Sequence, residues 1–326
     1  MTYLLRAASF MAALRPWAHS VRDPPMKRTI IHLVSCLVLS GTSMAQTGEA
    51  IDACGNPDRS PGDRIDQCTA ALEHELERAD AALAHYYRGL AHQVLGTHEQ
   101  AIEDFDRSLD LDPNSADAWN DRGVSYLELG EFEQSIPDFD QALRLDPSHF
   151  DGLYNRGSAY HLLGWNERAI HEFDRLLELY PEDAQGYAAR GYAYHLDGEF
   201  ERAIEDYDRA IAQDPNYAIA LSDRGGAYFA LNQLERAQED FERAIQIDPG
   251  YYEAYNGRGT VYCAADRPEL AAADWIRVNQ LQDPEYRRET QRMLHLNGYY
   301  DGPIDGMVNP DMRQALSAFT EEACPM

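Results

Sequence analysis

Residues 116–149 read ADAWNDRGVSYLELGEFEQSIPDFDQALRLDPSH, and residues 184–217 read AQGYAARGYAYHLDGEFERAIEDYDRAIAQDPNY. The two align without a gap, and the marks they share run along the chain at a constant step of 34 residues. Arg-Gly recurs at Arg88-Gly89, Arg122-Gly123, Arg156-Gly157, Arg190-Gly191, Arg224-Gly225 and Arg258-Gly259. A residue before proline keeps the same step at Asp112-Pro113, Asp146-Pro147, Tyr180-Pro181, Asp214-Pro215 and Asp248-Pro249. This period is that of a helix–turn–helix array. One such unit cannot bury its apolar face alone, so copies must stack. Six repeats follow: 82–115, 116–149, 150–183, 184–217, 218–251 and 252–285.

The occupants of each position say how the two helices of a repeat, A and B, meet. Position eight is always Gly, and position twenty is Ala or Ser. Glycine inside a helix costs about 1 kcal/mol, so six copies need a packing reason. Aromatic bulk recurs at position twenty-four as Phe105, Phe139, Phe173, Tyr207, Phe241 and Trp275. Small residues therefore face large rings across each pair. Gly96, Gly130, Gly164 and Gly198 are expected to end helix A in the left-handed region. The residue before proline ends helix B, because it disfavours helical backbone. Pro137, early in a helix B, is expected to loosen that helix's first turn.

Residues 82–285 resemble the tetratricopeptide repeat family. The resemblance implies an all-α fold, a right-handed α-solenoid of about six helix–turn–helix repeats with short helical caps. It also implies a peptide-binding groove lined by helix A at positions two, five, nine and twelve. Here that groove would present Tyr86, Leu90, Asn120, Tyr154, His161, Tyr192, His195 and Phe229. The chain departs from the family at position seven, which is Arg in place of Leu in every repeat. Position twenty-three is acidic throughout: Asp104, Asp138, Glu172, Asp206, Asp240 and Asp274. An inward arginine without a carboxylate partner would carry a large desolvation cost. A ladder of Arg–carboxylate pairs is expected, structural and not catalytic.

Residues 1–45 read as an export signal whose true start is Met26. Lys27-Arg28 supply its charged end, Ile30–Leu39 the apolar run and Ser43-Met44-Ala45 a cleavage site. The run is too short to span a membrane. Leu33-Val34-Ser35-Cys36 resembles a lipobox in outline, but the apolar run continues past Cys36, so a lipid anchor is not expected. The whole chain carries a formal charge of −28. Without residues 1–45 the balance is 23 Lys/Arg against 55 Asp/Glu, or −32. Such a surface repels nucleic acid and anionic lipid. Export implies an oxidising compartment. A Cys54–Cys68 disulfide is expected within a cap at 46–81, and Cys263–Cys324 is a second candidate pair.

Residues 286–326 break the period. The core Leu294-x-x-x-Gly298-Tyr299-Tyr300-Asp301-Gly302-Pro303-Ile304-Asp305-Gly306, then Ala315-x-x-x-Phe319, resembles part of a small three-helix peptidoglycan-binding domain. That resemblance implies a wall contact through Gly298, Tyr299, Tyr300, Asp301, Gly302, Asp305 and Gly306. The third helix of that domain is missing, and the same apolar face would also suit a cap docked on the sixth repeat. No phosphate-binding loop, nucleophile elbow or zinc-spaced His pair occurs. No enzyme activity, metal or cofactor is expected. The sequence points to a periplasmic scaffold or adaptor that holds a protein or peptide ligand, with peptidoglycan as a second partner. The alternative is a chaperone or assembly factor that never meets the wall.

Overall fold

The computed structural model describes residues 51–324; the export-signal reading and Cys36 lie outside them. Every regular element among the described residues is a helix. They divide into two compact units, 51–172 and 173–324. In the first are α1 (Pro61–Leu72), α2 (Arg78–Val94), α3 (His98–Leu111), α4 (Ala116–Glu128), α5 (Phe132–Leu145) and α6 (Phe150–Leu162). The division falls within α7 (Asn166–Leu179). The second unit holds α8 (Ala184–Leu196), α9 (Phe200–Gln213), α10 (Ala218–Ala230), α11 (Leu234–Ile247), α12 (Tyr252–Ala264), α13 (Pro268–Leu281), α14 (Pro284–Leu296) and α15 (Pro310–Ala323). Even-numbered α2 to α12 are the A helices, and odd-numbered α3 to α13 are the B helices.

Local chemistry sets the helix ends. Ser115 and Asp183 accept the backbone N–H of Ala118 and Gly186 and so cap α4 and α8. Gly96, Gly130, Gly164 and Gly198 close their A helices at φ +72° to +79°. In the fifth and sixth repeats Asn232 and Asp266 take that place at φ 57° and 56°. Both are residue types that tolerate the left-handed region. Pro137 lies inside α5 without interrupting it. The front helix α1 starts where Ser60 caps Pro61 and stops at Leu72, so that 73–77 turn the chain toward α2.

The glycine–ring pairing is the packing device that the pattern requires. A Cβ on Gly89 would come within 2.8 Å of the Phe105 ring, and one on Gly123 within 2.7 Å of Phe139. Gly191 meets Tyr207, Gly225 meets Phe241 and Gly259 meets Trp275 in the same way. Phe105, Phe139 and Tyr207 are 0% exposed. Burying a ring of this size stabilises by roughly 2–3 kcal/mol. That outweighs the helix cost of the glycine which admits it.

The arginine ladder is present and longer than expected. Arg122 donates Nε and Nη2 to the two Asp138 oxygens at 2.8 and 2.7 Å, in a bidentate fork. Arg88–Asp104, Arg190–Asp206, Arg224–Asp240 and Arg258–Asp274 repeat the fork, and Arg156 reaches Glu172 at 2.6 Å. Five of these six arginines also have a second acceptor. Arg122, Arg156, Arg190 and Arg224 give Nη1 to Asp106, Asp140, Asp174 and Asp208, one repeat earlier. At the front Arg88 uses Thr69 in place of an acid. Burial opposes the charge on Arg122, Arg190 and Arg224, but paired carboxylates outweigh it and hold each guanidinium above its ordinary range.

Both ends of the array are closed. Cys54 and Cys68 are joined, with Ile51, Ala71, Leu72, Leu76 and Tyr87 packed around them against Ala84. Cys263 of α12 is joined to Cys324 after α15. In the tail, Leu294, Tyr300, Met312, Ala315 and Leu316 form a buried cluster that includes Ile276 of α13. Among the described residues no helix is long and apolar enough to cross a membrane.

Candidate functional site

The expected groove residues lie on the A helices, and the first unit spends several of them internally. The Tyr86 hydroxyl donates to Asp121 Oδ2 at 2.8 Å, and Asn120 Nδ2 donates to Asp121 Oδ1 at 3.1 Å. Gln93 Nε2 donates to the Asp121 carbonyl and to Ser125 Oγ. Asn155 donates to Asn120 Oδ1 at 3.0 Å. Position six of one repeat therefore faces positions five and twelve of the repeat before it. Asn120 is buried, so its amide belongs to this network and does not line an open groove. Burial raises the Asp121 carboxyl to about 6; Tyr86 and Asn120 oppose that rise, and the charges of Asp117 and Asp151 add to it.

Other expected groove residues in this unit keep partial exposure. Leu90 is half-buried, and Tyr154 stacks on Phe150 at 6.4 Å. Burial holds His161 below the ordinary imidazole range, against a hydrogen bond with Asn166.

The second unit has a different site at the same register. Tyr192 and His195 of α8 stack at 6.4 Å, and Phe200 meets His195 edge-on at 5.3 Å. Burial lowers the His195 pKa, and its Nδ1 has no hydrogen-bond partner among the described residues. Across from it is Gly226 of α10, where a Cβ would sit 3.4 Å from His195 Cε1. Asp223 and half-buried Phe229 lie three residues to either side, on the same helical face. Asp223 was not among the residues expected from the sequence. Burial pushes its carboxyl up to about 8, and the nearby charge of Glu253 adds to the rise. The 34-residue step carries the signal that finds it, since Asp121 and Asp223 are the two aspartates at position six.

The tail residues divide between scaffold and surface. Gln291, fully buried, donates to Asp305 Oδ1 and the Met307 carbonyl and accepts the Gly306 N–H. A Cβ on Gly306 would lie 2.6 Å from the Pro284 carbonyl oxygen. Tyr300 is buried, and its hydroxyl donates to Pro303 O. Tyr300, Asp305 and Gly306 thus build the turn, and Gly298 opens it at φ +80°. Tyr299 sets its ring edge on Phe319 and its hydroxyl on Glu322. Tyr299, Asp301 and Gly302 line a cleft of about 420 Å³ with Asp311, Gln314 and Ala318. Among the described residues no group of three or more His, Cys, Asp or Glu is placed to hold a metal.

Solved structures share this fold. A tetratricopeptide repeat protein from Parabacteroides merdae aligns over 74% of this chain and 94% of its own, at 21% identity and a TM-score of 0.63. The Cut9–Hcn1 hetero-tetramer of the APC/C aligns over 73% and 49%, at 16% identity and a TM-score of 0.58. YrrB, described as a TPR protein with an unusual peptide-binding site, aligns over 58% and 96%, at 24% identity and a TM-score of 0.47. No curated protein gives a significant match. Three family models described as tetratricopeptide repeat match residues 82–115, 116–149 and 218–251, residues 163–218, and residues 139–171. Together they run without a break from 82 to 251, just over half of the chain. With its helix pairs, its left-handed turn residues and its glycine–ring contacts, the chain belongs to the tetratricopeptide repeat family.

Proposed function

We propose that this protein is a non-enzymatic interaction scaffold of a bacterial periplasm, which holds a protein segment against its A helices. The observation that carries this reading is the division of labour between helices. The B helices bury their position-23 acids and all but the last of their position-24 rings. The A helices keep aromatic and polar side chains such as Tyr154, Tyr192, His195 and Phe229 only partly covered. Aromatic walls with a few fixed polar groups suit an extended or helical peptide. Two disulfides fit an oxidising compartment. Binding of the full chain to a random peptide library tests the groove; a library that yields no binder removes it.

The tail allows two readings. As a wall contact, it would use the cleft beside Tyr299. Filling that cleft with Ala318→Trp should then abolish co-sedimentation with purified sacculi. The local balance at 285–326 is four Arg against seven acids, so binding would rest on shape and hydrogen bonds and persist in salt. The packing of Leu294 and Leu316 with Ile276, locked by Cys263–Cys324, favours the second reading, a cap on the sixth repeat. A wild-type chain that never pellets supports the cap, and with it an assembly or chaperone role away from the wall.

A further inference from the structure

The position-23 carboxylates, all buried, each have an arginine. Asp121 has Tyr86 and Asn120. Among the described residues Asp223 has no donor: no arginine reaches it, and the tyrosine that serves Asp121 is replaced at the matching place by Ala188. Ser222, the counterpart of Asn120, is engaged by Tyr251. His195 stands where Gln93 does, and burial keeps it neutral near pH 7. A second orphan lies beside this carboxyl. Tyr207 is the only tyrosine among the position-24 rings; it is 0% exposed, and its hydroxyl has no partner among the described residues. Among neighbouring charges, Asp223 acts on it most strongly. A buried polar group without a partner is costly; the Tyr207 hydroxyl is one, and it lies beside a partly covered carboxylate that no donor among the described residues reaches.

We propose that Asp223, with Glu253 facing it, receives a cationic side chain, the guanidinium or ammonium of an arginine or lysine in a bound peptide. This inference rests on the groove reading above and names what that groove selects. Charge complementarity argues for the occupant. Asp223 and Glu253 are both acidic, and Glu253 adds to the electrostatic load on Asp223. The stacked Tyr192 and His195 on α8 and Phe229 on α10 supply faces over which a cation is attracted. The protein already uses this chemistry internally, where Arg202 and Arg236 lie 4.0 and 3.9 Å over Tyr194 and Tyr228. The titratable groups facing Asp223 are Tyr192 and His195 from α8, Tyr207 from α9, and Tyr251 and Glu253 at the start of α12. None of them brings a positive charge near neutrality.

Occupation by a cation requires Asp223 to lose its proton. Affinity should therefore rise about tenfold from pH 7 to pH 9, because the carboxyl titrates at about 8. The test is selection of a displayed random dodecapeptide library on the full chain at pH 8.5, with Asp223→Asn and Asp121→Asn in parallel. The expected result is an arginine or lysine fixed at one position of the selected peptides. A representative peptide should lose at least tenfold in affinity on Asp223→Asn, much less on Asp121→Asn, and its dependence on pH should vanish with Asp223→Asn. Replacing its arginine by citrulline should cost as much as Asp223→Asn. Selected peptides with no basic preference, or with one indifferent to Asp223→Asn, overturn this inference and leave the groove standing. A library without binders overturns both. Glu253→Gln, which leaves Asp223 in place, should weaken binding by a smaller factor and guards against a folding defect in the first variant.

Discussion

Asp121 and Asp223 hold the same position in their repeats, on α4 and α10, yet the protein treats them differently. Asp121 accepts from Tyr86 and Asn120 and is pushed up to about 6, whereas Asp223 has no donor among the described residues and is pushed up to about 8. The backbone register is common to both, so the difference lies in side chains at three matching places: Tyr86 against Ala188, Gln93 against His195, and Asn120 against Ser222. Where donors are supplied, the acid is part of the scaffold. Where they are withheld, the same acid becomes a place for a ligand. A repeat protein can thus convert structure into a binding site without moving its backbone.

The largest effect should come from what the two regions share. Arg122 supports the repeat of Asp121, and Arg224 that of Asp223, each in a fork with an acid sixteen residues on. Removing one partner of a buried pair leaves an uncompensated charge and costs about 3–5 kcal/mol. Arg122→Met and Arg224→Met should each lose that much, to within about 1 kcal/mol of one another, by denaturant unfolding at pH 7. A large inequality would mean that the two regions differ in more than their position-six surroundings.

Next in size is the dependence of stability on pH. Both acids titrate higher folded than unfolded, so the native state holds more protons between the two values. Their contribution is full below about pH 4 and is lost as pH rises through the folded value. For Asp121 the loss ends near pH 6, and for Asp223 it continues to near pH 8. Between pH 6 and 8 the slope due to these two acids belongs to Asp223. Asp223→Asn should flatten it and leave the protein a few kcal/mol more stable than wild type at pH 9, with little change at pH 4. Asp121→Asn should leave the slope above pH 6 intact. Denaturation midpoints at half-unit intervals of pH decide between them.

The pattern made the frame legible and left the site half hidden. Gly123 and Phe139 share a step of 34 residues and complementary sizes, so their contact could be read from spacing alone. The Arg122–Asp138 pair was equally visible, because an inward charge demands a partner. Asp106, the second acceptor of Arg122, was missed although Asp140, Asp174 and Asp208 repeat it. Nothing in one repeat shows that a guanidinium reaches into the repeat before it. Asp223 was missed for a related reason. Its importance lies in the absence of a donor at Ala188, and the 34-residue step gives that absence meaning only once Tyr86 is seen to reach Asp121. Asn120 was misread as open groove because position five alone does not reveal that Asn155 and Asp121 close around it.

A smaller change should turn one site toward the other. Tyr86→Phe removes the hydroxyl and keeps the ring against Phe105, with which it sits at 5.9 Å. Loss of one hydrogen bond to a charged acceptor costs about 1.5–3 kcal/mol, and less where the acid can take up a proton instead. Asp121 should respond in that second way, its titration moving from about 6 toward the value of Asp223. Carboxyl carbon shifts followed by NMR across pH 4 to 9 would read the change directly. The converse substitution, Ala188→Tyr, offers Asp223 the donor it lacks. Its titration should fall below 8, and the basic preference of the groove should weaken with it. Ala188 is 5% exposed, so the added ring must displace neighbours such as Tyr192. A companion Tyr192→Ala makes that room. If Asp223 still titrates near 8 with a tyrosine at 188 and space to seat it, the missing donor is not what separates the two acids, and the burial around α10 alone must account for the difference.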